Sequence, residues 1–370
     1  MKVLALIQGP DHVCYRYRIE ALAWAVAERG LYLEAAPLRK GAIARVRQFL
    51  AARQADVVIL QRRLLPIWQL ALLRRFVPRL IYDVDDAVFQ RDSYNPKGPE
   101  SRVRMARFWA TVHTADAVIV GNDYLRERTA AFVEPHRVRV IPTCIEPKLY
   151  QPASHRRTGS RTRLVWIGQH STLASLQCAQ KHLAAAARRL PGLELRLICD
   201  RSVDLSSLRV TLRRWSIQGE AAELAEGDIG INWLPDDSWS PGKCGLKVLQ
   251  YMAAGLPVVA NPVGMNCRMV IDGQTGFLAS TPGQWAEAVA RLAADPELRR
   301  TMGAAGRRLI ERQYSVSDWG PRLAEVVAAV ASDERTLPEE YRRENQPRRS
   351  QVDALPSAPC VPDEGPLLTS

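Results

Sequence analysis

The stretch Asp236–Gly276, DDSWSPGKCGLKVLQYMAAGLPVVANPVGMNCRMVIDGQTG, decides how the rest of the chain is read. A polar loop leads into an apolar segment at 246–254 bounded by Gly245 and Gly255, which predicts a short helix. The β-branched run at 257–260 then predicts a buried strand, followed by a Gly-rich turn. Lys243 precedes the first helical turn and Lys247 lies within it. Cations are disfavoured beside the positive end of a helix macrodipole. Two ammonium groups there, with the free N–H groups of the helix start, make sense if an anion binds, and phosphate is the natural candidate. The chain uses Lys rarely: 7 of its 51 basic residues are Lys, and two of the seven stand four residues apart.

Outward from this segment, apolar runs and helical periods alternate. In the first half the pattern predicts strands at 3–7, 57–60, 80–84, 117–120 and 138–141, with helices at 15–28, 65–76 and 124–131 between them. A polar stretch at 151–162 interrupts it. Strands are then expected at 164–167, 193–198, 229–233 and 257–260, with a short one at 210–212. Helices are expected at 173–190, 220–225, 246–254, 285–294, 296–314 and 317–330. Strands separated by helices imply parallel sheets covered on both faces. The fold class is therefore α/β, two Rossmann-like doubly wound domains facing a cleft, with ligands at the carboxyl ends of the strands. The expected boundaries are 1–155 and 156–316, a helix at 317–332, and a Pro-rich, charged tail at 333–370 that reads as disordered.

Composition sets limits. Apolar residues make up 47% and charged residues 24% of 370, which excludes a disordered chain. No run approaches a membrane span, and Val3–Ile7 is too short for a signal-peptide core. The seven cysteines form no Cys-x-x-Cys pair, so a disulfide framework and a cysteine zinc site are not expected, and a reducing, cytoplasmic location is. The net charge is +12, of which +9 falls in residues 1–150. Such a balance attracts phosphates, nucleic acid or anionic lipid. Nucleic acid lacks the stacked aromatics or reading helix it would need. The basic stretches 39–53 and 62–80, with Trp68 and aliphatic residues interspersed, are read as helices covering a sheet and are compatible with weak peripheral contact with the inner membrane face.

Several pieces in order resemble glycosyltransferase family 4, whose fold is called GT-B. They are GLKVLQYMAAGLPVVA (245–260), NPVGMN (261–266) and DGQTGFL (272–278). VWIG (165–168), EGDIGI (226–231) and DPELRRTMGAAGRR (295–308) support them, as do ADAVIVGN (115–122) and VIPTCI (140–145) in the first half. The resemblance implies a transferase that moves a sugar from a nucleoside diphosphate sugar to a hydroxyl on a sugar, lipid-linked or small-molecule acceptor. Such work belongs to envelope polysaccharide, glycolipid or related glycoconjugate synthesis. It further implies retention of anomeric configuration and a last helix returning to the first domain; with the two lysines supplying the countercharge, no metal and no cofactor are expected. The family commonly carries two Glu residues eight positions apart, one on the donor sugar and one on the ribose. Here Gly242 and Gln250 occupy those places, in a Gly-Lys-Cys-x-x-Lys arrangement. The Gln250 amide can still bond a ribose hydroxyl. The sugar contact passes to the backbone around Gly264, Met265 and Asn266, or to Asp236 or Asp237.

Other candidates flank the expected cleft. Asp83, Asp85 and Asp86 end a strand. Period two puts Asp83 and Asp85 on one face and Asp86 on the other. Read alone, Asp-x-Asp suggests the metal motif of the other large glycosyltransferase fold, GT-A. The family often has His where Asp85 falls, so Asp85 is expected to contact substrate, with Asp86 on the acceptor side. Gly9 lets backbone approach the donor. Arg16 and Arg18 are candidate phosphate or acceptor ligands. Gly168, Gln169, His170, Ser171 and Thr172 form a strand-end loop suited to a diphosphate, and Trp215 falls where a nucleobase could stack. Lys243 and Lys247 would stabilise the leaving diphosphate. The rivals are a catalytically degenerate nucleotide-sugar binder and a metal-dependent GT-A transferase.

Overall fold

A computed structural model describes residues 1–157 and 162–332. The expected disordered tail and the middle of the expected linker lie outside the described residues. Twelve strands form two sheets. The first holds β1 (Lys2–Ile7), β2 (Tyr32–Pro37), β3 (Val57–Gln61), β4 (Leu80–Val84), β5 (Ala117–Val120) and β6 (Val138–Val140) in the order β2-β1-β3-β4-β5-β6. The second holds β7 (Arg163–Ile167), β8 (Glu194–Cys199), β9 (Arg209–Arg214), β10 (Ile229–Asn232), β11 (Val258–Ala260) and β12 (Gly276–Leu278) in the order β12-β11-β10-β7-β8-β9. All pairings are parallel. The central strands are buried along their whole length, which is why they read as mainly apolar runs, with Gln61 and Asp83 near the carboxyl ends of β3 and β4.

Strand order reverses between β1 and β3 in one sheet and between β7 and β10 in the other. A crevice opens beyond the carboxyl ends of the strands at each such point. Gly9 and Arg62 follow β1 and β3; Gly168 and Trp233 follow β7 and β10.

On one face of the first sheet lie the helices Ala42–Ala52, Ile67–Phe76 and Arg102–Thr114, which bury Phe49, Leu70, Leu73 and Phe108. The opposite face is covered by Ala23–Glu28 and by the final helix Val316–Ala331, whose Leu323 and Val327 join Leu22 and Val26. The last of the described helices thus completes the core of the first domain. Arg29 pairs with its Glu325 at 3.0 Å. The chain crosses between domains twice at one place, where the Ile145 N–H donates to the Tyr314 carbonyl and the Val316 N–H to the Ile145 carbonyl.

The structure differs from the sequence pattern in a few elements. β2 was not foreseen because it is an edge strand with largely exposed side chains and no apolar run. The helix Arg102–Thr114 hides its buried face behind three arginines. The helix expected at 15–28 is three pieces, Val13–Arg18, a 3-10 turn Glu20–Leu22, and Ala23–Glu28.

Candidate functional site

The two lysines sit where the domains meet. A 3-10 turn, Ser240–Gly242, leads through an extended Lys243 into the helix Leu246–Ala253. Gly242 and Cys244 face the first domain. The Cys244 thiol donates to the Asp85 carbonyl at 3.1 Å, and a Cβ on Gly242 would lie 2.6 Å from the Ala87 Cβ. No side chain fits at 242 while the loops touch, which gives a steric reason for glycine there. Lys243 turns the other way and lies 3.7 Å from the Trp239 ring centroid, and Lys247 lies 5.1 Å from that of Trp166. Asn122 of the first domain fixes this loop by donating to the Pro241 and Lys243 carbonyls, both at 3.1 Å. Asp237 caps the preceding turn by accepting from the Trp239 and Ser240 N–H groups.

Both lysines are half-buried. Among the described residues neither has a carboxylate partner; each rests on an indole face. Loss of water, reinforced by the nearby Lys243 charge, lowers the Lys247 pKa to about 7.

The strand-end loop after β7 lies beside them. A Cβ on Gly168 would lie 2.5 Å from the Trp166 ring, so glycine is needed for the indole to fold beneath the loop and meet Lys247. Gln169 and Ser171 are exposed. His170 is oriented by Asp200, which accepts from its N–H at 2.7 Å and pairs with its ring Nδ1 at 2.6 Å. Partial desolvation pushes the Asp200 carboxyl up, but the bonds from His170 outweigh it and hold it at about 2. Gly264, at φ +56, turns the chain against the Ser240–Pro241 backbone. Among the described residues the Gly264 and Met265 N–H groups have no acceptor.

Other expected site residues have different roles. Asn266 is fully buried, accepts from Asn232 at 2.7 Å and donates to the Asn261 carbonyl at 3.0 Å. Its side chain locks the corner and cannot reach a ligand. Gln250 is also buried, and its amide donates to the Tyr17 hydroxyl at 3.2 Å instead of standing open to a ribose. Trp215 is held by its indole N–H, which donates to Glu220 at 2.8 Å. Arg16 crosses to the second domain and pairs with Glu220 at 3.1 Å. Arg18 is buried and makes three N–H contacts to Asp83, the shortest 2.6 Å, so it is part of the frame and not an acceptor ligand. Gly9 has open space around it, so nothing within the protein demands glycine there.

The three aspartates do not sort as period two predicts. β4 ends at Val84, so the alternation stops before Asp85. Asp85 and Asp86 turn together onto the two arms of Arg62, at 2.8 and 2.7 Å, and Asp83 alone faces Arg18. The carboxylates are thus divided between two guanidinium groups, and among the described residues no cluster of His, Cys, Asp or Glu has the arrangement of a metal site. Burial pushes Asp85 up, but Arg62 and Arg18 outweigh it and hold it at about 2.

Sequence reasoning missed Glu220. It is buried and accepts from Tyr17 (2.7 Å), Tyr150 (2.6 Å), Trp215 and Arg16, tying both domains and the crossing segment to one carboxylate. No local motif marks it, because its partners lie up to 204 residues away. Arg62 was likewise passed over as one of many arginines. A cavity of about 540 Å³ opens near the crossing point, lined by Asn122, Met265, Arg268, Tyr314 and Trp319. Neither lysine lines it, though Met265, beside the lysine site, does.

Residues 238–309, which contain both lysines, match the family Glycosyl transferases group 1. The chain is 25% identical over 259 residues to alpha-maltose-1-phosphate synthase of Mycolicibacterium smegmatis, covering 60% of this chain and 65% of that protein. It is 26% identical over 244 residues to D-inositol 3-phosphate glycosyltransferase of Saccharomonospora viridis, covering 58% and 56%. The chain thus spans less than two thirds of the length of these curated relatives. Among solved structures it is similar to sucrose-phosphate synthase from Thermosynechococcus elongatus, with TM-score 0.70, 17% identity, and 90% and 99% of the two chains covered. It is also similar to Anabaena HepE in complex with UDP and glucose, with TM-score 0.66, 13% identity, and 89% and 100% covered. The chain therefore has the two-domain α/β GT-B fold, and its second domain carries the likeness to group 1 glycosyl transferases.

Proposed function

We propose that the protein is a glycosyltransferase that moves a sugar from a nucleoside diphosphate sugar to a hydroxyl acceptor. One observation carries this reading. Two lysines without carboxylate partners lie on indole faces at the interdomain cleft, inside the segment that matches glycosyl transferases. The bond between the anomeric carbon and the diphosphate oxygen breaks, and the diphosphate leaves with the electron pair. Lys243, Lys247 and the free N–H groups of Gly264 and Met265 stabilise its charge. The acceptor hydroxyl oxygen bonds the anomeric carbon and gives its proton to the departing diphosphate oxygen. Asp85, held ionised by Arg62, is a poor proton acceptor at neutral pH; its role is to orient the acceptor and to balance oxocarbenium charge. Gly168, Gln169, His170 and Ser171 line the diphosphate side and Gly9 the sugar side. Retention of configuration and a place in envelope or related glycoconjugate synthesis follow from the likeness to family 4. With the lysines supplying the countercharge, the reaction needs no divalent metal. No described helix is long and apolar enough to cross a membrane.

A thermal-shift screen against UDP, GDP and ADP and their sugars, followed by turnover in excess EDTA, tests the reading. Stabilisation by one nucleotide with EDTA-resistant turnover is expected. Full loss of turnover in EDTA, restored by Mn²⁺, removes the metal-free mechanism. A second reading, a nucleotide-sugar binder without turnover, is favoured by Gly242 and Gln250, which put no carboxylate at either place. Nucleotide binding with no hydrolysis or transfer from any donor would establish it.

A further inference from the structure

Three neighbouring helices cover one face of the first sheet, and what they turn outward is unlike the rest of the surface. Ala42–Ala52, Ile67–Phe76 and Arg102–Thr114 contain seven arginines and no acidic residue. They also carry seven of the twelve large hydrophobic side chains that the described residues expose. On the first helix, Ile43 is 74% exposed and follows one stripe with Arg47 and Leu50. Trp68, 54% exposed beside Ile67, leads the stripe on the second helix that runs to Arg75. On the third, Val103 is 62% and Trp109 49% exposed, with Arg102 on the same side. The inward stripes of these helices already fill the core, so the outer apolar residues are not needed for folding. Isolated exposed apolar residues need no explanation, but a concentration across three adjoining helices does.

The position of the face adds direction. In a parallel sheet each helix starts near the end where its preceding strand finishes, which here is the cleft side. Ile43, Ile67, Trp68 and Val103 all lie in the first turns of their helices. The apolar residues therefore gather along the rim of the cleft, on the side of Arg62, Asp85 and Asp86.

We propose that this face docks on an anionic lipid bilayer and that the acceptor is lipid-borne. Tryptophan and aliphatic side chains enter the headgroup–acyl boundary while the arginines meet anionic headgroups, each cation near the surface strengthening attraction. The three helices themselves carry no carboxylate, and Asp116, just beyond the third, is matched by Arg74 at 3.0 Å, so little repulsion opposes such a surface. Docking brings the cleft rim to the bilayer, so a hydroxyl on a lipid headgroup reaches the site without leaving the membrane. The acceptor class rests on the proposed transfer reaction; the docking stands on the face alone.

Vesicle flotation of the full chain tests this. The protein is expected to float with vesicles containing phosphatidylglycerol, not with phosphatidylcholine alone, and to be released by salt. Replacing Ile43, Trp68 and Trp109 together by Ser should weaken binding roughly tenfold or more. Arg47→Glu with Arg75→Glu should do the same by charge. All five side chains are exposed, and an unchanged UDP-induced melting shift would show that fold and nucleotide site survive. The proposal is overturned if wild type does not float with anionic vesicles, or if the triple Ser variant floats as well as wild type. It is also overturned if poly(U) RNA competes the protein off vesicles and binds the Ser variant equally, which would make the face a polyanion surface. Flotation without a melting shift from UDP, GDP or ADP would keep the docking face and remove the transfer reading.

Discussion

The strand-end cations of the two domains are used in opposite ways. In the first domain Arg16, Arg18 and Arg62 are each matched to a carboxylate, respectively Glu220, Asp83, and the Asp85–Asp86 pair. In the second, Lys243 and Lys247 have only indole faces beneath them. A guanidinium fork suits fixed, planar pairing with a carboxylate, whereas an ammonium is a compact charge on a flexible stem. The difference separates charges matched by carboxylates from charges that, among the described residues, no carboxylate matches, and it can be broken experimentally from either side.

The largest effect is expected from the matched set. Arg18→Met leaves Asp83 buried without its partner. Breaking such a pair costs about 3–5 kcal/mol. Urea denaturation should show a loss of this size, and Asp83→Asn should destabilise as well. A loss under about 1 kcal/mol for Arg18→Met would mean that the pair is not part of the frame.

The unmatched set should respond in ligand affinity rather than in stability. A charge-assisted bond contributes roughly 1.5–3 kcal/mol, so Lys243→Ala or Lys247→Ala should weaken nucleoside diphosphate binding about tenfold to a hundredfold. Nucleoside affinity should change little. Stability without ligand should hold or rise, because a repelled charge is removed. Lys→Arg should rescue only in part. Calorimetry decides the matter, and unchanged diphosphate affinity in both Ala variants would remove the lysines from the site.

A smaller effect tests the contact between the two sets. Gly242→Ala places a Cβ against Ala87 at a separation no pair of carbons tolerates, so the two loops must part. A more open average shape in solution scattering, with about 1–3 kcal/mol lost as in other overpacked contacts, is expected. An unchanged scattering curve would show that the loops do not touch in solution.

How legible this contrast was in the sequence depends on distance along the chain. The lysines were readable because they stand four apart at a helix start, in a chain that otherwise uses Arg. Both sheets were readable because their central strands are mainly apolar, with polar residues only near their ends. Glu220 was not, since its meaning comes from Arg16, Tyr17 and Tyr150, at separations that no period encodes. Gln250 was read as a ligand contact because a polar residue in a resembling motif carries no sign of burial. Asp85 and Asp86 were placed on opposite faces because the end of β4 at Val84 could not be seen.

The smallest effect concerns proton uptake and follows from the Lys247 pKa of about 7, against an ordinary value of 10.5. Between these values the folded protein without ligand holds Lys247 largely neutral, while the unfolded chain keeps it charged. The unfolded state then binds more protons, so this group's contribution makes stability rise with pH across that window. Diphosphate binding works in the other direction, because its charge favours the ammonium form and raises the pKa of Lys247. Binding above about pH 7 should therefore take up a proton, and affinity should fall as pH rises. The fall should be roughly threefold to tenfold over the first unit, bounded by what one ammonium contributes. Calorimetry in buffers of different ionisation enthalpy measures the uptake directly. Lys247→Ala should abolish it, and Lys243→Ala should diminish it, since removing the neighbouring charge lets Lys247 stay protonated to higher pH. Equal uptake in wild type and Lys247→Ala would place the titrating group elsewhere and leave Lys247 no closer to the ligand than the matched arginines.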